Sequence, residues 1–217
     1  MRTIRVTGKG QIKVKPDTTR ITMTLEGRYK EYGETLRRSE EDTEILKDVF
    51  TGFGFQRSDL KTLQFSTDTE YESYQDRDGT YKNRFAGYRY RHMMKVEFPS
   101  DNDRLGKILY ALSVCKAKPE FRISYTASDP EAAKNALLGK AMADAKEKAA
   151  VLTAAGGVAL KNLQSIDYSW GELDLEYRPM NGVIMAKSCM EADGCALDIE
   201  PDDISVSDTV TVVWEIE

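Results

Sequence analysis

Alternation of apolar and polar residues recurs along this chain, and it constrains the fold more than any other feature. A period of two places neighbouring side chains on opposite faces of a strand, which is typical of a half-buried β-strand. The pattern runs through residues 3–15, 58–98 and, most regularly, from Ile204 to Ile216. Such a chain must bury one face of a sheet, and consecutive strands joined by turn signals favour antiparallel pairing.

Helical periodicity separates these strands. It runs through residues 32–54, through a short segment after Pro99, and from the S-x-x-E motif at Ser128 to Ala155. The last helix has a face of small residues, and alanine at that spacing lets a helix lie close to a sheet. That face comprises Ala133, Leu137, Ala141, Ala145, Ala149 and Leu152.

The predicted order of elements is ββ-α-ββ-α-β-α-β-β, an α+β fold of antiparallel sheets built from hairpins, with helices packed on one face. The strands on either side of Pro16-Asp17 are expected to form the first hairpin. We expect one domain over residues 1–217, divided into lobes 1–98 and 99–217. The second lobe contains an insert of low periodicity at residues 171–203, and a loop of that length is usually functional or disordered.

The second hairpin is the most informative element for function. Its arms, of about 17 residues each, exceed the usual strand length of 5 or 6. Aromatic residues alternate there with arginines, a composition found at interface hot spots and on platforms that bind single-stranded nucleic acid. The net charge of −5 favours a protein interface and no nucleic acid. The candidate interface residues are Tyr74, Tyr81, Arg84, Phe85, Tyr88, Arg89, Tyr90 and Arg91.

Residue types that commonly carry catalysis are scarce. His92 is the single histidine, and no nucleophile motif accompanies it. Gly8 and Gly10 lack the third glycine of a dinucleotide fingerprint and precede a strand, so they indicate a bulge or a close backbone approach. Cys189 and Cys195 are too few for a structural zinc site, and they are either free thiols or a disulfide. The sequence therefore predicts no catalytic residue, cofactor or metal, and no enzyme.

Charge is distributed unevenly along the chain. Residues 171–217 contain twelve acidic and two basic residues, whereas residues 81–98 contain five basic and one acidic. The acidic segment is either a solvated loop or a segment that meets the basic hairpin of a neighbouring subunit, because complementary charges steer association. The partner is then a second copy of the chain. The alternative is a ligand-binding or enzymatic module with a pocket under loop 171–203.

The expected location is the cytoplasm. No stretch of 18 apolar residues indicates a transmembrane helix, and the N-terminus as written has no signal peptide. The three cysteines, an odd number, do not form a disulfide framework. If a signal peptide has been removed, the alternative is the periplasm or the extracellular space.

Five motifs follow one another along the chain: Ile4-x-Val6-x-Gly8-x-Gly10 with Val14-x-Pro16-Asp17, then Asp59-Leu60-Lys61-Thr62, Gly87-Tyr88-Arg89-Tyr90, Ala141-x-x-Asp144-Ala145-x-x-Lys148-Ala149, and the closing strand from Ile204 to Trp214. In this order they resemble the SIMPL-domain family, which includes YggE-like and periplasmic immunogen-like proteins of unknown function. The resemblance implies an α+β fold, assembly into large oligomers and an association with stress defence. It implies no catalytic residues, and the absence of a signal peptide departs from many members.

Overall fold

A computed structural model of the chain describes residues 2–168, 175–178 and 200–217. In these ranges the elements are β1 (Arg2–Val14), β2 (Thr18–Tyr29), α1 (Tyr32–Gly52), a 3-10 turn (Arg57–Asp59), β3 (Lys61–Gln75), β4 (Tyr81–Pro99), α2 (Asn102–Ser113), β5 (Glu120–Thr126), α3 (Pro130–Ala155), β6 (Leu160–Tyr168), β7 (Glu176–Tyr177) and β8 (Ile204–Ile216). The predicted α+β class is confirmed. The order differs by the 3-10 turn and β7, which are too short to show a period. No helix in the described ranges is long and apolar enough to cross a membrane.

The chain forms two compact units. Unit 1 contains Met1–Asp17, Thr126–Tyr177 and Pro201–Glu217, and unit 2 contains Thr18–Tyr125 and Arg178–Glu200. These boundaries differ from the division into lobes 1–98 and 99–217 that we expect from the sequence. The difference arises because strand pairing brings the two ends of the chain together in unit 1, and pairing between distant segments leaves no local signal in a sequence.

The predicted hairpin of the first two strands is wrong. β1 pairs along its whole length with β8, from Arg2 opposite Ile216 to Val14 opposite Ile204, and β2 pairs with β4. Pro16-Asp17 is a turn signal, but here it directs the chain out of one sheet and into another. Turn residues indicate that the chain changes direction, but they do not indicate which strand the next strand pairs with.

Asp17 fixes the chain at this change of direction. Its carboxylate accepts hydrogen bonds from the backbone N–H and the hydroxyl of Ser128, at 2.8 and 2.6 Å, and its own N–H donates to the Thr126 carbonyl. Ser128 is therefore not the N-cap of α3, as the S-x-x-E motif predicts. Asp129 caps the helix instead, accepting a hydrogen bond from the Ala132 N–H at 2.9 Å.

Unit 1 is a three-stranded sheet, ordered β1-β8-β6, with α3 packed on one face. The small-residue face of α3 lies directly on the two glycines of β1, except that Leu152 is exposed and Thr153 is buried in its place. A Cβ atom on Gly8 would lie 2.1 Å from the Ala141 carbonyl oxygen, and one on Gly10 would lie 2.2 Å from the Leu137 carbonyl oxygen. Because the β1–β8 register is unbroken, these glycines serve a close approach and not a bulge.

Unit 2 is built on strands ordered β3-β4-β2-β5. One face of this sheet, here called the inner face, packs against α1 and α2. The inner residues of β2 and β4 are Ile21, Met23, Leu25, Tyr90, Met94, Val96 and Phe98, and they form the main core with Leu46, Phe50, Leu105, Ile108 and Leu112. Cys115 is buried at the edge of this unit, as predicted for a core thiol.

The close approach of α3 to β1 generates a stability prediction. We expect Gly8→Ala to destabilise the protein by about 1–3 kcal/mol or more, because the added methyl group meets helix backbone that cannot move aside. The midpoint of urea unfolding measures this change.

The matched control is Gly139→Ala, in an exposed part of α3 where an added Cβ meets nothing within 4 Å. It should stabilise the protein by about 0.5–1 kcal/mol, since alanine favours a helix. An unfolding midpoint that Gly8→Ala leaves unchanged would contradict the packing described for α3.

Candidate interaction surface

The ribbon formed by β3 and β4 is longer than the elements that cover it. β2 pairs with β4 only as far as Tyr29, which lies opposite Tyr88, and α1 begins at Tyr32. Beyond this point, residues 70–75 and 81–87 pair with each other and with no other described strand. We call residues 70–87 the arm.

Aromatic side chains continue the inner face of the sheet along the arm. Tyr71 and Phe85 are opposite each other in the register, and their rings lie 6.2 Å apart. Phe85 contacts Tyr88 at 5.2 Å, and Tyr88 contacts Tyr32, the first residue of α1, at 5.4 Å. Together with Tyr81 these residues form what we call the aromatic row.

The aromatic row is exposed where α1 no longer covers it. Tyr71 is 62% exposed, Tyr81 is 73% exposed and Phe85 is 48% exposed. On the same face closer to the helices, Tyr90 and Met94 are buried. The aromatic row is therefore the part of the inner face that α1 does not cover.

A bulge keeps the row on one face. The register passes from Glu70 opposite Gly87 to Tyr71 opposite Phe85, so Ala86 is an extra residue in β4. Without it, the strict alternation of β4 would turn Phe85 to the opposite face. Gly87 is needed at this position because its φ is 146° and a Cβ atom there would lie 2.4 Å from the Tyr29 carbonyl oxygen.

The opposite, outer face of β2, β3 and β4 is charged, and most of its charges are paired. Glu70 binds Arg89 at 3.0 Å and Arg28 at 3.4 Å. Further ion pairs on the ribbon and its neighbouring strand join Arg84 to Glu72, Lys82 to Asp76, and Arg91 to Glu26. The basic side chains that stand out in the sequence are therefore largely neutralised by carboxylates of the same unit.

The eight candidate interface residues divide between these two faces, with one exception. Tyr81, Phe85 and Tyr88 belong to the aromatic row. Tyr74, Arg84, Arg89 and Arg91 lie on the outer face, where the Arg84 guanidinium lies 5.5 Å from the centre of the Tyr74 ring. Tyr32 and Tyr71 belong to the row but are not among the candidates, and Tyr32 is far from the hairpin in sequence.

Tyr90 is the exception, because it lies on the part of the inner face that α1 covers. The residue is fully buried, and its ring lies across Gly27, its partner in β2, where a Cβ atom would come within 2.6 Å of the ring. Its hydroxyl donates a hydrogen bond to the Asp42 carboxylate on α1. Burial, and then the hydrogen bond and charge of Asp42, raise the pKa of Tyr90. Alternation places Tyr90 on the inner face, and α1 covers it.

His92 lies two residues further along the same face, between α1 and β3. Its Nδ1 is 3.0 Å from the Thr43 hydroxyl and its Nε2 is 2.9 Å from the Thr62 hydroxyl. Because the Thr43 hydroxyl donates to the Ser39 carbonyl at 2.7 Å, it accepts from His92, and Nδ1 therefore holds the proton. Both ring nitrogens are thus occupied by hydroxyl groups of the protein.

Other predicted sites lie partly or wholly outside the described residues. Cys189, Cys195 and most of the 171–203 insert fall there. Within the insert, Leu175 is described and is buried in a cluster with Ile12 and Ile204. The described ranges contain no group of three or more side chains suited to binding a metal ion.

Residues 4–214 match the family model SIMPL, described as a protein of unknown function (DUF541). The chain belongs to the SIMPL family. The match spans the five motifs that suggest this family in the sequence. No curated protein matches the chain.

Several SIMPL motifs have structural explanations here. The two glycines of the opening motif seat α3, and the alanines of the helix motif are the residues that contact them. Asp144 of the helix motif accepts a hydrogen bond from the Lys9 N–H at 2.7 Å and binds Lys148 at 2.7 Å. Gly87 of the third motif forms the bulge at the root of the arm. These motif residues position strands and helices.

The environment of His92 predicts a pH dependence. Burial, and to a smaller extent the positive charge of Lys47, hold the pKa of His92 below 6.5. The unfolded chain then takes up a proton before the folded protein does, so stability is full above about pH 6.5 and falls as the pH drops through and below that value. Because the chain has one histidine, its imidazole NMR signal should titrate with a midpoint below 6.5.

The matched variant is His92→Gln. Its free energy of unfolding should change less between about pH 7.5 and about pH 5.5 than that of the wild type, because the contribution of His92 protonation is absent. A titration midpoint above 6.5 in the wild type would contradict the lowered pKa that partial burial gives the His92 imidazole.

Tyr90 predicts a second difference in stability. We expect Tyr90→Phe to lower the free energy of unfolding by about 1–3 kcal/mol, because it removes a hydrogen bond to a carboxylate from a buried site. The control is Tyr88→Phe, whose hydroxyl makes no hydrogen bond within the described residues, and it should change stability little. Equal unfolding midpoints for the two variants would contradict the role given to the Tyr90 hydroxyl.

Proposed function

We propose that this protein is a non-enzymatic, oligomer-forming interaction protein, in which the aromatic row of one copy packs against the aromatic row of a second. The observation that carries the proposal is the exposure of Tyr71, Tyr81 and Phe85 on a face that is core elsewhere in the sheet. Tyrosine and phenylalanine bring large apolar areas to an interface at a small cost in side-chain entropy. Burying these side chains at an interface removes their apolar area from water, and this favours association.

The distribution of charge supports a second copy as the partner. An interface with two-fold symmetry places the same patch on both sides, so the patch must be compatible with itself. The aromatic row satisfies this condition because the charged side chains on the two strands of the arm, Glu70, Glu72, Lys82 and Arg84, point to the opposite face. Two rows therefore meet without placing like charges against each other.

The same distribution disfavours single-stranded nucleic acid. A nucleic-acid platform needs basic side chains beside the stacking rings, so that phosphates and bases are bound together. Here the rings and the basic residues lie on opposite faces, and Arg84, Arg89 and Arg91 each bind a carboxylate of the protein. A protein surface is the better match for the row.

Light scattering on the wild type and two double variants tests the proposal. We expect the wild type to have a mass that is a multiple of 24.5 kDa, and Tyr81→Ser with Phe85→Ser to shift it to a single chain. The matched control, Tyr74→Ser with Arg84→Ser, changes the opposite face of the same arm and should keep the assembly. Circular dichroism confirms that each variant is folded.

A wild type that stays at 24.5 kDa at all protein concentrations would overturn the proposal. So would an assembly that both double variants leave intact, because the aromatic row would then not be the contact between copies.

A further inference from the structure

The free edge of β3 is a second surface, which shares only Tyr71 with the aromatic row. β3 is the end strand of its sheet, and its described hydrogen-bonding partner is β4 alone. It spans 15 residues, Lys61–Gln75, most of them exposed. The other edge of such a strand presents a row of unpaired backbone N–H and C=O groups, on which a further strand can assemble.

β3 has few of the features that protect an edge strand. Proteins block exposed edges with proline, with lysine, with short strands or with bulges. β3 contains no proline, and its one lysine, Lys61, and its one extra residue, Leu63, both lie at its beginning. Residues 64–75 contain no extra residue of their own, and the one irregularity along them is the bulge at Ala86 in the paired strand β4. The edge is therefore accessible for pairing over a length that exceeds the average strand of 5 or 6 residues.

The side chains of β3 define the strand that would fit beside it. On the inner face the edge exposes Phe65, which is 47% exposed, and Tyr71. On the outer face it carries Asp68, Glu70 and Glu72, each two residues from the next. Opposite charges across neighbouring strands stabilise a sheet, and apolar side chains pair with aromatic ones. A matching strand alternates apolar residues with lysine or arginine.

Among the described residues, Asp68 is the carboxylate of this row that has no basic partner. Glu70 binds Arg28 and Arg89, and Glu72 binds Arg84. Among the described residues Asp68 accepts one hydrogen bond, from the Ser66 hydroxyl at 3.3 Å. β3 as a whole has three acidic residues and one basic residue, so a basic strand matches it better than a second β3 does.

From these observations we infer that the free edge of β3 binds an extended segment of another protein, alternating apolar and basic residues, by β-strand addition. Main-chain hydrogen bonds to residues 64–75 supply the affinity, and Asp68 with its neighbouring carboxylates supplies the preference for a basic segment. This inference does not rest on self-association through the aromatic row. The two surfaces point in different directions, since one is the open edge of β3 and the other is the inner face of the ribbon.

The probe for this inference is a fluorescent peptide of about nine residues that alternates lysine with valine, the length of a long strand. We expect it to bind the wild-type protein with a Kd below about 1 mM in an anisotropy titration, more weakly as salt is raised. A peptide alternating lysine with proline has the same charge but cannot form a ladder of hydrogen bonds, and it should bind at least about tenfold more weakly. Replacing lysine with glutamate should abolish binding.

Two protein variants locate the site. Asp68→Lys should weaken binding of the lysine–valine peptide at least about fivefold, because it places like charges on neighbouring strands. Glu147→Lys, an exposed change on α3 with no ion pair to lose among the described residues, makes the same change in net charge and should bind like the wild type. Bound peptide should also slow amide hydrogen exchange in residues 61–75.

Three results would overturn the inference. They are no binding of the lysine–valine peptide, equal binding of the lysine–proline peptide, and equal binding by Asp68→Lys and the wild type. A dimer that Asp68→Lys dissociates and that the peptide does not enter would assign the edge to a second copy instead. Tyr81→Ser with Phe85→Ser should leave peptide binding unchanged, so failure of this inference and failure of the proposed self-association are distinguishable.

Discussion

The mismatch in length between the β3–β4 ribbon and the elements that cover it leaves part of an apolar face of this protein exposed. Strand β2 stops opposite Tyr88 and helix α1 starts at Tyr32, whereas the ribbon continues to the turn at residues 76–79. An alternating strand has an apolar face along its whole length, whether or not something packs on it. The uncovered end of that face is the aromatic row, and the uncovered side of the ribbon is the free edge of β3.

The contact between α1 and the ribbon is unusually polar where the arm begins. The first three buried residues along α1 are Thr35, Ser39 and Thr43, and the two that follow are Leu46 and Phe50. The polar part faces Tyr90 and His92, whose polar atoms bind Asp42, Thr43 and Thr62. Buried polar groups must be hydrogen-bonded, so these partners set the position of the helix on the sheet more strictly than apolar contacts would.

In unit 1 the corresponding constraint is steric. Gly8 and Gly10 remove side chains from the middle of β1, and the alanine face of α3 occupies the space. The backbone of the helix and that of the strand then lie closer than larger side chains would permit. The fold of this unit therefore depends on residue size at two adjoining surfaces that are more than a hundred residues apart in the chain.

Much of this follows from the sequence alone. Periodicity is a local property, so it correctly indicates the long strands, the three helices and the α+β class, and the ordered motifs identify the SIMPL family. Alternation also places Tyr81 and Phe85 on one face of their strand and Arg84 on the other, because side chains alternate irrespective of what surrounds them.

Tertiary structure decided which strands pair and which faces stay open. Pairing of β1 with β8 depends on residues some two hundred positions apart, and the turn signal at Pro16 says nothing about it. Tyr90 and Tyr81 have the same residue type and the same strand, yet one is fully buried and the other is 73% exposed. The difference is where α1 ends in space relative to β4, because burial depends on the neighbour that covers a residue and not on the residue itself.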